Sequence, residues 1–411
     1  MSKILLAHSG KQHVYHVAKA LNNLGLLDSF YTSGYISNNY TQKFVEVFGI
    51  DFLKKRYESG LSGEKIHSNW KFELPEFWAR YIQKANKARL TSLMIQRDTN
   101  FAKFMSTNLG HGMFNTFWGY NGSCLEALTK ANEIGKMTVC ETQLAYLPFT
   151  KKILKEEALL HPEWADSLDF VDLPSHYEKR LIEEPLVANR VVAISSFLKK
   201  SLVEGGVDAQ KIDVLPLGFD IKSVKYNPNK HLGINNRPLR ILYAGKVTQG
   251  KGIKYALEAV KNLNSKDIEL HIIGNVDGSV EAFNKFSKYY IYHGKVHQLE
   301  LFQKYTEYDV LLFPSLSEGF GLVALEAMGA GVPVIATPNT NAFELLDHEK
   351  NGFVIPIRDI DAISQSLITI RNMDDIAYQQ LSINARERAV NYTWDTFQDR
   401  LSTLIATWEF I

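Results

Sequence analysis

The sequence predicts an α/β protein built as two doubly wound, Rossmann-like domains that face each other across a cleft. Three observations predict it. Apolar runs of the buried-strand type end in glycine-containing loops and give way to helical periodicity, which is the order of a parallel sheet. That order starts twice, at Lys3 and again at Leu239. Between the two starts, Lys222 to Arg237 is a polar stretch holding Asn227-Pro228-Asn229 and Asn235-Asn236, the composition of a linker. The expected limits are 1–218 for the first domain, 219–237 for the linker, 238–390 for the second domain and 391–411 for a terminal helix.

Lys3–Ala7 is the first strand, Ser9-Gly10-Lys11 its turn, and Val14, Val17, Ala18, Leu21 and Leu24 mark the helix that follows. His13 and His16 lie on that turn and the first helical turn, where they are either structural or in contact with a ligand. Phe77–Leu93 reads as an amphipathic helix, with Trp78, Tyr81, Ile82, Ala85 and Leu93 on one face and Arg80, Lys84 and Lys87 on the other. Such a helix either docks on its own domain or lies on an anionic membrane surface. Met113–Trp118 is strand-like, and Ser123-x-x-Glu126 has the spacing of a capping box for a helix that Gly135 ends. Met137–Glu141 is the next strand. Glu141 and Gln143 fall at the C-terminal sheet edge, where open α/β sheets bind ligands, so they join His13 and His16 as ligand-contact candidates against a plain polar strand end. Arg190–Ile194 is a strand, and Ser195-Ser196 can cap the helix Phe197–Glu204.

The second domain opens with Leu239–Ala244 and then GKVTQGKG. Gly245 permits close backbone approach, and Lys246 and Lys251 are placed to meet a diphosphate as point charges. Two further strand-and-glycine units, Ile268–Gly274 and Tyr290–Gly294, precede the most informative stretch, FPSLSEGFGLVALEAMGAGVPVIAT from Phe313 to Thr337. It reads as strand, loop, helix, loop, strand. Gly319 and Gly321 bracket Phe320 just before the helix, leaving the N–H groups at Gly321, Leu322 and Val323 for an anion. Glu318 and Glu326 stand with seven residues between them. Either alone also fits an ordinary helix acid favoured by the macrodipole or by solvent.

Taken together, SxxEGFG, the E-x7-E pair and EAMxxGxPVI resemble the donor site of retaining glycosyltransferases of family 4, the glycosyl transferases group 1, which have the GT-B fold. The passage VVAISSFLKKSLVEGGVDAQKIDVLPLGFD resembles the family's last N-domain βαβ unit and hinge. The resemblance covers the second domain almost throughout and the first mainly in its last third. It implies a nucleoside-diphosphate sugar, UDP- or GDP-linked, as donor substrate rather than cofactor, and a glycan, lipid-linked or small-molecule acceptor. It makes Glu326 the ribose ligand, sets Glu318 against the transferred sugar, and brings the backbone at Val296 to the base. It carries over Gly10 from the family's glycine pair after the first strand, where this chain has Ser9. The family's arginine at the first basic position is Lys246 here, and no histidine follows Met137–Glu141, where many members have one. The resemblance also implies that Phe397–Trp408 crosses back onto the first domain, and that no metal is needed because lysines and helix N–H groups stabilise the leaving diphosphate. Asp359-Ile-Asp361, the one D-x-D, is expected to cap a helix. A GT-B epimerase or a non-catalytic sugar-nucleotide-binding subunit are the alternatives.

Composition agrees. The 411 residues are 45% hydrophobic, enough for two cores, and the net charge of +1 supplies no global field for nucleic acid. Cys124 and Cys140 form neither a disulfide framework nor a zinc site and point to a reducing compartment. The apolar run at the N-terminus is too short for a signal peptide and no stretch has membrane-span length, so the expected location is the cytoplasm, including the inner face of the membrane. A dinucleotide oxidoreductase would carry G-x-G-x-x-G after the first strand, and this chain does not.

Overall fold

The computed structural model describes residues 3–36, 56–58, 60–61, 63–169, 173–228 and 237–408. Much of the expected linker, 229–236, lies outside them. The described residues form two parallel sheets. The first holds β1 (Ile4–His8), β2 (Leu27–Thr32), β3 (Ile66–Ser68), β4 (Thr116–Tyr120), β5 (Met137–Thr142), β6 (Arg190–Ala193) and β7 (Ile212–Val214) in the order β3-β2-β1-β4-β5-β6-β7. The second holds β8 (Leu239–Ala244), β9 (Ile268–Ile273), β10 (Ile291–Gly294), β11 (Val310–Phe313), β12 (Val334–Ala336) and β13 (Gly352–Val354) in the order β10-β9-β8-β11-β12-β13.

Strands β1, β4 and β11 are buried at every position because helices cover both faces, which is why they read as unbroken apolar runs. In each sheet the strand order reverses at one point, between β1 and β4 and between β8 and β11. The loops leaving β1, β8 and β11 therefore emerge beside a topological switch point, where this architecture binds ligands. Those loops carry Gly10, Gly245 and Glu318.

The helices used below are α1 (Val14–Asn23), α2 (Lys87–Asn108), α3 (Leu125–Glu133), α4 (Leu147–Leu160), α5 (Ser175–Val187), α6 (Ser196–Glu204), α7 (Ile253–Leu263), α8 (Leu322–Gly329) and α9 (Trp394–Ala406). Ser195 caps α6 by accepting from Leu198 N–H, and Asp359 accepts from Ala362 N–H at the start of Ile360–Arg371, both as expected. The Ser123/Glu126 capping box does not form. Glu184, buried on α5, accepts from the N–H groups of Gly122, Cys124 (2.8 Å) and Leu125 (2.9 Å), while Glu126 turns outward to a two-bond pair with Arg180. A full carboxylate at a helix N-terminus satisfies more orphan donors than a serine hydroxyl can. Burial pushes the Glu184 pKa up to about 7 against the pull of those N–H bonds.

The expected helix Phe77–Leu93 is two elements. A short helix, Leu74–Phe77, runs into a wide π turn at Trp78–Ile82, the chain turns at Lys84 (φ 50°), and α2 begins at Lys87 under an Asn86 cap. The apolar face is split between them: Trp78, Tyr81 and Ile82 are 56%, 52% and 56% exposed, while Leu93 on α2 is buried.

The terminal helix does cross back onto the first domain. It starts at Trp394 rather than Phe397, because Thr393 and Thr396 form a capping box. Trp394 stacks on His16 of α1 at 3.9 Å, Gln398 accepts from Asn23, and Trp408 donates to Asp213 at 3.0 Å. One apolar core runs from the first sheet through Phe219 and Phe320 to Trp408, so the two sheets share packing as well as chain. A second core, under the second sheet, takes in Ile153 and Trp164 from the first half of the chain.

Candidate functional site

The loops leaving β8 and β11 enclose a cavity of about 250 Å³ lined by Gly245, Lys246, Lys251, Glu318, Gly321, Leu322 and Val323, with Tyr243 and Phe313 behind them. Seven residues singled out from two separate sequence motifs thus meet in one space. Gly245 has φ 144°, and a Cβ built there meets nothing within 4 Å, so its bare backbone faces open volume. Gly321 has φ 76° and heads α8; a Cβ there would lie 2.5 Å from the Phe313 ring. Both positions require glycine, and together they aim an open backbone and the first N–H groups of α8 at the same point.

The two lysines already hold carboxylates. Lys251 pairs closely with Glu318, and Lys246 lies 3.4 Å from Asp277 and 3.7 Å from Asp169. Lys87 on α2 completes the second group, 2.6 Å from Asp169 and 3.3 Å from Asp277. The group crosses the cleft, since Lys87 and Asp169 belong to the first half of the chain and Lys246 and Asp277 to the second. An oxyanion suits each ammonium, and phosphate oxygens offer the same hydrogen-bonding geometry as these carboxylates.

Glu326 lies on α8 outside that cavity. It is 7% exposed, and it accepts from Tyr305 Oη at 2.8 Å and from Gln298 Nε2 at 3.3 Å. Burial raises its pKa, with the two bonds opposing. Gln298 opens the helix just beyond Val296, so Glu326 and the Val296 backbone share one corner although neither lines the 250 Å³ space. Phe320 is 3% exposed and serves the core between the domains.

Gly319 does something the motif alone does not suggest. A Cβ on it would fall far inside 3.0 Å of the Gln143 carbonyl oxygen, and its own carbonyl accepts from Ser195 Oγ at 2.8 Å. Gly319 is therefore the seam at which the second domain's loop meets the first domain. A smaller cavity of about 130 Å³ lies along that seam, bounded by Lys251, Glu318 and Gly319 on one side and Asn121, Leu144 and Leu147 on the other.

On the first domain, His13 Nε2 pairs closely with Glu141 Oε1, and Trp118 Nε1 donates to Glu141 Oε2 at 3.1 Å. The pair sits at the C-terminal ends of β1, β4 and β5, and Glu141 lies two residues before the Gln143 contact with Gly319. Gly10 rests over the ring of His8, whose nitrogens make no well-formed hydrogen bond among the described residues, and burial holds His8 well below its ordinary pKa. The Gln143 side-chain nitrogen is likewise buried without a hydrogen bond among the described residues. His16 is not part of this group. Its ring is sandwiched on Trp394, it lies 3.7 Å from Glu58, and burial lowers its pKa to about 4.

Four contributors escaped sequence reading. Asp277 follows the β9 glycine, and its place beside β8 follows from strand order once that order is known. Asp169 and Lys87 carry no local signal. Glu157 is fully buried on α4 and accepts from Gln249 Nε2 (2.5 Å), Tyr255 Oη (2.7 Å) and Arg358 Nε (2.7 Å), tying α4 to the second domain.

Residues 238–372 match the family model described as Glycosyl transferases group 1. The uncharacterized glycosyltransferase MJ1607 of Methanocaldococcus jannaschii is 28% identical over 225 residues, 50% of this chain and 57% of its own length. The capsular polysaccharide biosynthesis glycosyltransferase CapM of Staphylococcus aureus is 26% identical over 241 residues, 53% of this chain and 62% of its own. The chain thus spans little more than half the length of these relatives. Among solved structures, Anabaena Alr3699/HepE in complex with UDP and glucose aligns over 99% of this chain and 100% of its own, with a TM-score of 0.60 and 16% identity. The lipopolysaccharide outer core galactosyltransferase WaaB aligns over 99% of each chain, with a TM-score of 0.63 and 16% identity. At these identities the likeness establishes the fold, which is GT-B.

Proposed function

We propose that this chain is a metal-independent retaining glycosyltransferase that moves a sugar from a nucleoside-diphosphate sugar, UDP- or GDP-linked, to a glycan, lipid-linked or small-molecule acceptor. The observation that carries the reading is the convergence of Gly245, Lys246, Lys251, Glu318 and the α8 N-terminus on one cavity beside the switch point of the second sheet. Open backbone, two ammonium groups and a helix N-terminus form a site for a diphosphate. When the sugar–phosphate bond breaks, negative charge grows on the leaving diphosphate, and Lys246, Lys251 and the N–H groups at Gly321–Val323 stabilise it without a cation. Lys251 turning to that phosphate frees Glu318 to face the sugar ring, where positive charge develops. Glu326, held by Tyr305 and Gln298, takes the ribose hydroxyls. The first domain supplies the acceptor side through His13, Glu141 and Gln143. The roles of CapM in capsular polysaccharide biosynthesis and of AmsK of Erwinia amylovora in amylovoran biosynthesis favour a polysaccharide product, and the UDP complex of HepE favours a UDP-sugar.

The test is sugar transfer and donor hydrolysis with UDP- and GDP-sugars in excess EDTA, for the wild type and two variants. Glu326→Gln should raise the donor KM with little change in kcat, because its contacts exist before and during reaction. Glu318→Gln should lower kcat with little change in donor binding, because its interaction strengthens as the bond breaks. Folded variants with wild-type kinetics, or activity abolished by EDTA and restored by magnesium, would sink the proposal.

A further inference from the structure

We propose that residues 74–84, with the basic side chains around them, dock this protein on an anionic bilayer, and that the acceptor it takes is carried by a lipid in that surface. The second half of the statement rests on the transfer reading above; the first does not.

The sequence pattern called for one helix with its apolar stripe turned inward. The structure instead turns the chain through the π turn at Trp78–Ile82 and leaves Leu74, Trp78, Tyr81 and Ile82 each more than half exposed. Scattered exposed apolar residues need no explanation, but four large ones within nine positions form a patch. Two of the four are Trp and Tyr, whose amphipathic rings favour a membrane interface. The exposed charge around them is mainly positive. From 71 to 91, Lys71, Arg80, Lys84, Lys87 and Arg89 are exposed against two acids, Glu73, buried with Arg56 at 2.7 Å, and Glu76, shared by Arg80 and Arg97; Lys87 also holds Asp169 and Asp277, which leaves Lys71, Lys84 and Arg89 as the cations the patch relies on. A chain of net charge +1 has gathered a local excess of cations beside four exposed apolar side chains close together in sequence. That combination complements anionic lipid headgroups over an acyl boundary. No helix among the described residues is long and apolar enough to cross a membrane, so the contact is with the surface.

Position links the patch to the site. A groove of about 840 Å³ starts at Arg80, passes Leu90 and Met94 of α2, and ends at Lys246 and Asp277. Lys246 also lines the cavity assigned to the diphosphate. A chain of sugars rooted in the bilayer next to Trp78 would lie along this groove with its far end toward the donor.

The experiment is sedimentation of the full chain with phosphatidylglycerol–phosphatidylcholine vesicles against pure phosphatidylcholine vesicles, for the wild type, Trp78→Ser/Ile82→Ser and Lys84→Glu/Arg89→Glu. All these side chains are exposed, so an unchanged melting temperature is the control for folding. The wild type should bind the anionic vesicles, weakly bind the neutral ones, and release with added salt. Each double variant should lose at least about tenfold in partitioning, while donor hydrolysis stays unchanged. Absence of wild-type binding, or equal binding by both double variants, overturns the docking surface, as does a salt-independent dimer that the Trp78→Ser/Ile82→Ser variant abolishes. Donor hydrolysis reports separately on the transfer reading. With docking and hydrolysis both intact, transfer that is no faster to a vesicle-borne lipid-linked acceptor than to its water-soluble headgroup overturns the acceptor assignment alone.

Discussion

Substituting Gly319 by alanine adds one methyl group at the point where the two domains touch most closely. The built Cβ falls far inside 3.0 Å of the Gln143 carbonyl oxygen and 3.2 Å from its carbonyl carbon. Both partners are backbone, so no side chain can swing aside, and the loops must part by about 1 Å. The same movement stretches the 2.8 Å bond from Ser195 Oγ to the Gly319 carbonyl, worth about 0.5–1.5 kcal/mol. The glycine's conformation is ordinary, with no positive φ recorded there, so strain in the loop itself contributes nothing. Two accounts of Gly319 then separate. If it serves the diphosphate, Gly319→Ala weakens donor binding. If it sets the seam, donor affinity stays within a few-fold while transfer falls, because a displacement of about 1 Å between reacting groups lowers rate on the order of 10²-fold. Calorimetric titration with UDP and GDP, beside steady-state transfer rates, distinguishes them. The structure predicts the second outcome. Folded Gly319→Ala protein with wild-type transfer would refute the argument, and so would a loss confined to nucleotide affinity.

Two further outcomes are expected. Lys251→Ala removes one charged contact to the diphosphate and leaves Glu318 without its partner, so donor kcat/KM should fall by about 1.5–3 kcal/mol, with Lys246→Arg tolerated better than Lys246→Ala; unchanged donor kinetics in Lys251→Ala would take that lysine out of the site. His16 is kept neutral in the fold, with a pKa lowered to about 4, while the unfolded chain takes up its proton near pH 6.5, so stability is full above about 6.5 and declines as pH falls from there toward 4. Amide protection factors in α9, with the intrinsic pH dependence of exchange divided out, should fall across that window, and His16→Phe should flatten the profile; an unchanged profile in that variant would mean that other groups set it.

What the sequence disclosed, and what it did not, divides by distance along the chain. Strand runs, the glycine turns and the E-x7-E stretch are local patterns, and the two sheets with Gly245, Lys246, Lys251, Glu318 and Gly321 gathered at the second switch point follow from them. Ser195 and Asp359 cap their helices as their spacing implies, because a cap needs only residues within one turn. The failures involve partners far off. Ser123 lost its capping role to Glu184, 60 or more positions away, because a buried carboxylate delivered by a packed helix reaches three N–H groups at once. The His13–Glu141 pair spans 128 positions and exists because β1 and β5 flank β4 in the sheet. Periodicity also misread Phe77–Leu93 as one helix, whereas the chain turns at Lys84, leaving Trp78, Tyr81 and Ile82 in the open and Leu93 buried on α2. Spacing tells which residues share a face and says nothing of whether anything covers it.

The electrostatics of the donor cavity carry the reasoning one step further. Each lysine assigned to the diphosphate holds a carboxylate, and each carboxylate has a second use. A diphosphate taken up by Lys251 exchanges one anion for another, so the lysine stays compensated while Glu318 becomes available for the sugar. Lys246 differs, because its carboxylates, Asp277 and Asp169, also hold Lys87 across the cleft. Drawing Lys246 toward a phosphate gives up its pair with Asp169, one of the two ion pairs of this quartet that cross the cleft, and leaves Lys87–Asp277 as the other. These side chains are about one-third to just over one-half exposed, so the loss is modest and screened by salt. The buried Glu157 node, with three charged or polar partners on the second domain, ties the halves together independently of that quartet. On the proposed reading, the exposed quartet responds to the donor and the buried node does not.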